Sequence, residues 1–415
     1  MVRVLVFSTL YPNAAQPNHG VFVENRLRHT LELGGIEATV LAPVPYFPSE
    51  HRAFGRYATF ARAPRSEARH GLEVLHPRYL VIPKVVGWTP EFLYRCGLRA
   101  IRDLQAQGRR FGVIDAHYFY PDGVAAARLA RELKLPVVIT GRGSDLTHAP
   151  ETPHLRAQIH WAAHEASALV TVCEDLRRKL LRMGAPEART LVLRNGVDLT
   201  RFRPVDREAA RASLGVDGFV LLSVGSLIPR KGHELTIEAL TRHPDCTLLI
   251  AGQGPMRGEL EALAQRLGVA ERVRFLGEIL HADLPKVYSA ADVMVLASSR
   301  EGWANVLLES MACGTPVIAT DVNGAREIVR SPAAGLLVRN RTATSLAAVL
   351  EKLRSSMPSR EATRRYSEGF GWEEIARANR ALLTAVAAAG FEHRRSVDCV
   401  REARRHLAAS LEGVA

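Results

Sequence analysis

"VMVLASSREGWANVLLESMACGTPVIAT", residues 293–320, decides how the rest of the chain is read. An apolar run, Val293–Ala297, breaks into a polar loop and resumes at helical spacing over Val306–Cys313. After Gly314 a second β-branched run begins, Pro316–Thr320. Strand, loop, helix and strand in one short stretch predict a βαβ unit of a parallel sheet. Within it Glu301 and Glu309 stand eight apart among residues that are otherwise small or apolar. Buried carboxylates without partners cost several kcal/mol, so the pair requires a reason.

The same alternation extends in both directions. Before residue 198 the expected strands are Val2–Ser8, Glu37–Ala42, Val113–His117, Pro136–Thr140, Leu169–Val172 and Thr190–Arg194, with helices such as His19–Leu33, Asp122–Leu133 and Glu174–Met183. After the arginine-rich bridge "DLTRFRPVDREAARASLG", residues 198–215, come Phe219–Val224, Thr247–Ala251, Val273–Leu276, Val293–Ala297, Pro316–Thr320 and Leu336–Val338. The fold class is therefore α/β, with two Rossmann-like, doubly wound domains in tandem. The first covers 1–198, with a closing helix near 372–390 crossing back to it. The second covers 199–371, and 391–415 form a basic helical tail. Ligands of such sheets lie beyond the carboxyl ends of the strands, so two facing sheets would enclose a cleft.

Bulk properties agree with a large globular protein. The chain has 415 residues, 47% hydrophobic and 24% charged, too long for one ordinary core. No apolar stretch reaches the roughly 18–20 residues of a membrane span, and Met1–Leu10 reads as a first strand rather than a signal peptide. Five scattered cysteines without a CxxC predict reduced thiols, no zinc site and a cytosolic setting. A net charge of +12 favours anionic partners without naming one.

The chemistry falls in loops that follow strands. In "GSLIPRKGHELTIEAL", residues 225–240, Gly225 permits a tight turn. Arg230 and Lys231 precede a helix N-terminus, a place that favours anions. "GQGP" brings Gly252 and Gly254 after the next strand, although a lone GxG is weak. Glu301 stands at the mouth of its loop, where a carboxylate can bind sugar hydroxyls. Gly302, Trp303, Ala304 and Asn305 lead into the helix, whose amides can hold phosphate oxygens while Glu309 grips ribose hydroxyls. The plainer alternative is a solvated Glu301 and a Glu309 that interacts only with its own helix.

These motifs resemble the GT-B glycosyltransferases of family 4, a retaining, nucleotide-sugar-dependent group, over nearly the whole chain. The E-x7-E pattern with "ESMACGTPVIAT" (309–320) is the most specific element. "SVGSLIPRKG", "LRNGVDLTRFRP" (193–204) and "PNHGVFVENRLR" support it. The resemblance implies that Glu301 contacts the donor sugar, Glu309 the ribose, and Arg230 with Lys231 the diphosphate. It also implies that Gly20 approaches the donor phosphate and that His117, which alone would read as structural, hydrogen-bonds the sugar or a phosphate oxygen. No D-x-D motif occurs, so no metal and no cofactor are expected. The resemblance implies front-face attack by the acceptor with the leaving phosphate as base.

Two departures stand out. The family's commoner E-G-F-G is here Glu301-Gly302-Trp303-Ala304, followed by Asn305, which leaves donor identity open. A frequent His-Gly is replaced in "TGRGSD", residues 140–145, by Arg142, which would suit an anionic acceptor or phosphate or else pair with Asp145. "RAFGRYATFARAPRSEARH", residues 52–70, interleaves arginine with aromatics and fits an anionic membrane face, a lipid-diphosphate acceptor, single-stranded nucleic acid or a mobile solvated loop. The tail "EHRRSVDCVREARRHLAASLEG" reads as a basic amphipathic helix, on the surface or on a membrane.

The expected function is sugar transfer from a UDP- or GDP-sugar to a glycan or lipid-diphosphate-linked acceptor in cell-envelope or exopolysaccharide synthesis. The expected setting is the cytoplasm, with peripheral contact at the inner face of the membrane. A sugar-nucleotide epimerase on the same architecture is the alternative. A nucleic-acid-binding protein would leave both glutamates unexplained, and the chain carries no recognition motif for one.

Overall fold

The computed structural model describes residues 1–82, 85–395 and 397–407. The chain divides into two units. Met1–Asn195 is joined by the segment that begins at Trp372, and Gly196–Gly371 forms the other.

The first unit is built on an eight-stranded sheet. Its order is Thr190–Val192, Ala168–Thr171, Val137–Gly141, Val113–His117, Val2–Phe7, Ile36–Leu41, Leu72–Leu75 and Ser66–Arg69. All neighbours are parallel except the last pair. Val113–His117 and Val137–Gly141 are buried at every residue, as expected where helices cover both faces of a parallel sheet. The chain order reverses between Val2–Phe7 and Val113–His117, which makes that junction the switch point.

The second unit repeats the plan with six parallel strands: Val273–Gly277, Cys246–Ala251, Phe219–Val224, Val293–Leu296, Val317–Thr320 and Gly335–Val338. Its switch point lies between Phe219–Val224 and Val293–Leu296. Both series of expected strands are present, with ends shifted by a residue or two.

The helix Glu373–Ala389 follows the second unit in the chain but packs in the first. Its Ala378, Leu382, Leu383 and Val386 join Val4, Val23 and Leu27 in one core. Asn379 Nδ2 donates to Thr30 Oγ1 at 3.1 Å, and Arg380 to the Leu33 carbonyl at 2.7 Å.

Two segments differ from expectation. Residues 52–70 are not one loop: Arg52–Phe54 is a 3₁₀ turn, Arg56–Arg62 a helix, and Ser66–Arg69 a strand. That strand turns through His70 and Gly71, both at positive φ, and returns as Leu72–Leu75. Paired positive φ is the requirement of a tight two-residue hairpin, and His-Gly is a legible signal for it. In the tail, Asp398–Arg405 is helical and buries Cys399, Val400 and Ala403 in the core of the first unit. Its apolar face is thus covered by protein, which corrects the membrane-docking reading for the described part. Ser396 and residues 408–415 of the tail lie outside the described residues.

Candidate active site

Each unit carries a cluster of chemically capable side chains at the switch point of its sheet. In the second unit the loop after Phe219–Val224 supplies Arg230 and Lys231, and the loop after Val293–Leu296 supplies Glu301. Lys231 Nζ donates to Glu301 Oε1 at 2.7 Å, and Arg230 Nη1 lies 3.5 Å from Glu301 Oε2. Glu301 is only 9% exposed. Burial would raise its pKa, but the two cations outweigh burial and hold the carboxyl below the usual range. Arg230 also donates to the Arg300 carbonyl at 3.0 Å, which ties the two loops together.

Glu309 lies on the helix Asn305–Ala312 and is also buried, yet its surroundings are different. Tyr288 Oη donates to Oε2 at 2.9 Å and His281 Nε2 to Oε1 at 3.2 Å. His281 Nδ1 in turn accepts from Arg201 Nη1 at 3.0 Å, which assigns the proton to Nε2. Phe202 packs edge-on against the His281 ring at 4.9 Å. Burial and the Glu309 carboxylate push the Tyr288 phenol well above its ordinary value. One carboxylate therefore rests on two cations and the other on a phenol and an imidazole.

The glycines explain how these loops come so close. A Cβ on Gly252 would stand 1.9 Å from the Gly225 carbonyl oxygen, and Gly252 has φ 153°. Gly254 packs in the same way on the Leu227 carbonyl. Trp303 is 7% exposed, with its indole against Gly324, and Ala304 is buried; Asn305 N donates to the Trp303 carbonyl at 3.1 Å where the helix starts. Gly302 likewise approaches Gly324 through its carbonyl.

In the first unit His117 ends its strand at 1% exposure. Its Nδ1 accepts from Arg142 Nη2 at 2.9 Å, and its Nε2 lies 3.3 Å from Asp115 Oδ2. Burial lowers the imidazole pKa to about 4, and the Asp115 carboxylate only partly offsets it, so the ring is neutral. Arg142 Nη1 donates to Asn195 Oδ1 at 2.8 Å, and the guanidinium lies over the Phe22 ring. Arg26, 1% exposed, reaches the same Asn195 oxygen and the Leu193 and Arg194 carbonyls. Arg26 Nε and Nη1 and Arg142 Nε have no hydrogen-bond partner among the described residues.

Arg142 and Asp145 do not pair through their side chains. The Asp145 carboxylate accepts from the backbone amides of Phe119, Arg142 and Gly143, at 2.6–3.1 Å. At 1% exposure it shapes the loop that carries Arg142. Gly20, at φ 73°, begins the helix Val21–Glu32; a Cβ there would meet the Leu10 carbonyl at 2.4 Å.

The expected residues Glu301, Arg230 and Lys231 stand together, as do His117 and Arg142, while Glu309 stands with Tyr288 and His281. Arg26, Asp115, Arg201, His281 and Tyr288 join these clusters without a signal of their own in the sequence, because for all but Asp115 the partners lie far along the chain. Arg26 and Arg201 fall inside stretches that were singled out, "PNHGVFVENRLR" and "LRNGVDLTRFRP", and Asp115 two residues before His117 on its strand.

A family model described as glycosyl transferases group 1 matches residues 206–370, and one described as glycosyltransferase family 4 matches residues 23–201. The D-inositol 3-phosphate glycosyltransferase of Geodermatophilus obscurus is 39% identical over 243 residues, 54% of this chain and 53% of that protein. The chain spans about half the length of the curated relatives it matches. Among solved structures, sucrose-phosphate synthase from Thermosynechococcus elongatus superposes with a TM-score of 0.76 at 22% identity, over 94% of this chain and all of that one. Anabaena HepE in complex with UDP-glucose superposes with a TM-score of 0.66 at 20% identity, over 99% and 100%.

Proposed function

Because the chain belongs to the GT-B glycosyltransferases of family 4, we propose that it transfers a sugar from a nucleotide-sugar donor to an acceptor hydroxyl with retention of configuration. The observation that carries this reading is Glu301 beside Lys231 and Arg230 at the second switch point. A carboxylate there can accept from sugar hydroxyls while the two cations take the diphosphate oxygens. Glu309, with its phenol and imidazole, is placed for the ribose hydroxyls. The UDP-glucose complex of a similar fold supports a UDP-sugar, and a GDP-sugar is the other candidate.

Charge builds on the leaving nucleoside diphosphate as the C1–O bond breaks. Arg230 and Lys231 stabilise it electrostatically, without a metal in this reading. The acceptor oxygen attacks C1 on the face the diphosphate leaves, and a diphosphate oxygen takes the acceptor proton. His117 is neutral, so it serves as a hydrogen-bonding group rather than a cation. The acceptor is a glycan or a lipid-diphosphate-linked sugar of the cell envelope. Arg142 and Arg26, with unpartnered nitrogens, favour a phosphate group near the first switch point.

The test is thermal unfolding with UDP, GDP and their sugars, each with and without EDTA, followed by product analysis. Ligand at about 100 times its dissociation constant adds ~2.7 kcal/mol, a visible shift. A shift with one nucleotide family, unchanged by EDTA, and an α-linked product from an α-donor are expected. No shift with any nucleotide would refute the proposal, and an epimerised donor formed without acceptor would replace it with an epimerase.

A further inference from the structure

We infer that one face of the first unit, built from Phe54, Tyr57, Leu80–Ile82 and Val85–Trp88, docks on an anionic lipid bilayer. Among the described residues fifteen large hydrophobics are exposed, and nine of them fall between Tyr46 and Trp88. Scattered exposed apolar residues need no explanation, but such clustering does. Leu80 is 54% exposed, Val86 58% and Trp88 59%.

The residues are joined in space as well as in sequence. Tyr46 N donates to the Tyr79 carbonyl at 2.7 Å, which brings the start of the aromatic segment beside Leu80. Phe47 then packs on Phe54 at 5.2 Å and on Tyr57 at 5.3 Å. Val85 N closes a turn onto the Ile82 carbonyl, so both apolar stretches lie together. The Val86 carbonyl is pinned by Tyr120 Oη at 2.6 Å and that of Gly87 by Gln158 Nε2 at 3.2 Å. The exposed side chains thus stand on a fixed support rather than a loose loop.

Charge selects the partner. Arg52, Arg62 and Arg65 are exposed on or just after the same short elements, and none has an ion pair among the described residues. Of the acids nearby, Glu67 is engaged with His76 and Glu73 with Arg109, and exposed Glu50 is outnumbered by the three arginines. Apolar and aromatic side chains flanked by unpaired arginines match a membrane interface with anionic headgroups. Val85, Val86 and Trp88 also wall a pocket of about 460 Å³ that contains Glu91, Arg128 and Gln158. An apolar rim over a polar interior suits a headgroup drawn from the bilayer. A second copy of this chain would bring the same unpaired arginines against each other.

The experiment is co-sedimentation of the full chain with vesicles of phosphatidylcholine alone and with one-third phosphatidylglycerol, at low and physiological salt. The triple variant Leu80→Ser/Val86→Ser/Trp88→Ser removes only exposed side chains, and its unfolding temperature checks the fold. Binding to the anionic vesicles, at least tenfold weaker in the triple variant and weaker in Arg52→Glu/Arg65→Glu, is expected. Trp88 emission should shift to the blue on binding. Absence of binding at low salt, equal binding to neutral vesicles, or binding unchanged in the triple variant would overturn the inference. So would a concentration-dependent dimer that the triple variant abolishes, which would assign the face to a second copy. None of these readouts depends on sugar transfer, so the two proposals stand or fall separately.

Discussion

Replacing Glu309 tests whether its two hydrogen bonds hold the second unit together. Its carboxylate is the acceptor for Tyr288, fully buried, and for His281, whose side chain is 18% exposed. In Glu309→Ala the Tyr288 hydroxyl loses its acceptor in a dry site, which costs about 1–3 kcal/mol. His281 loses its acceptor too, but water reaches it, so roughly another 1 kcal/mol follows. A total of about 3 kcal/mol predicts a fall of roughly 6–12 °C in the melting of a unit this size. Glu309→Gln separates the terms. Its carboxamide oxygen can still accept from Tyr288, but its NH2 then meets the His281 N–H. The ring cannot change tautomer, because Nδ1 already accepts from Arg201. Calorimetry should therefore rank the unfolding temperatures wild type, Gln, Ala. Nucleotide affinity in the Gln variant, measured by titration calorimetry, should drop at least tenfold. An Ala variant melting within 1 °C of wild type would refute the packing argument, and an unchanged nucleotide affinity would remove the ribose role.

Three further outcomes are expected. Lys231→Met should destabilise by about 1–3 kcal/mol, since it leaves buried Glu301 with only the longer Arg230 contact, and Lys231→Met/Glu301→Gln should recover more than half of that in urea unfolding; additive losses would show the pair is not coupled. Burial holds His233 at about 4 against an ordinary 6.5, so the unfolded chain binds a proton that the folded chain refuses between those values. The second unit should lose about 3 kcal/mol as pH falls from 6.5 to 4, and His233→Asn should flatten that slope; a parallel slope would refute the assignment. The first unit should show less, because His117 at about 4 and Asp122 at about 7 act in opposite directions over that window. Gly252→Ala, which places a Cβ 1.9 Å from a backbone oxygen, should abolish soluble folded protein, whereas Gly258→Ala, in open helical space, should stabilise by about 0.5–1 kcal/mol; equal behaviour of the two in expression and unfolding assays would sink the close-approach argument.

The strands were legible because each is a β-branched run closed by a turn signal, and Val113–His117 and Phe219–Val224 match to the residue. That Arg230, Lys231 and Glu301 fall in loops just after strands was legible for the same reason, since position after a strand is local information. What covers an apolar face is not local. The tail's amphipathic pattern is the same whether its apolar side meets lipid or, as here, the helix Glu373–Ala389. In residues 52–70 the basic and aromatic composition obscured a His-Gly turn that marks a hairpin. The two glutamates show the limit most clearly. Their spacing says that both are kept, but Glu301 and Glu309 owe their different characters to Lys231, 70 residues away, and to His281, 28 away. On the proposed reading that difference has a consequence. The cations on Glu301 are the ones a diphosphate would claim, so donor binding must redistribute that ion pair and free the carboxylate for sugar hydroxyls. Tyr288 and His281 bring no full charge of their own to a diphosphate, so Glu309 keeps them and stays preorganised. Donor affinity should thus carry the cost of reorganisation at one carboxylate and not at the other.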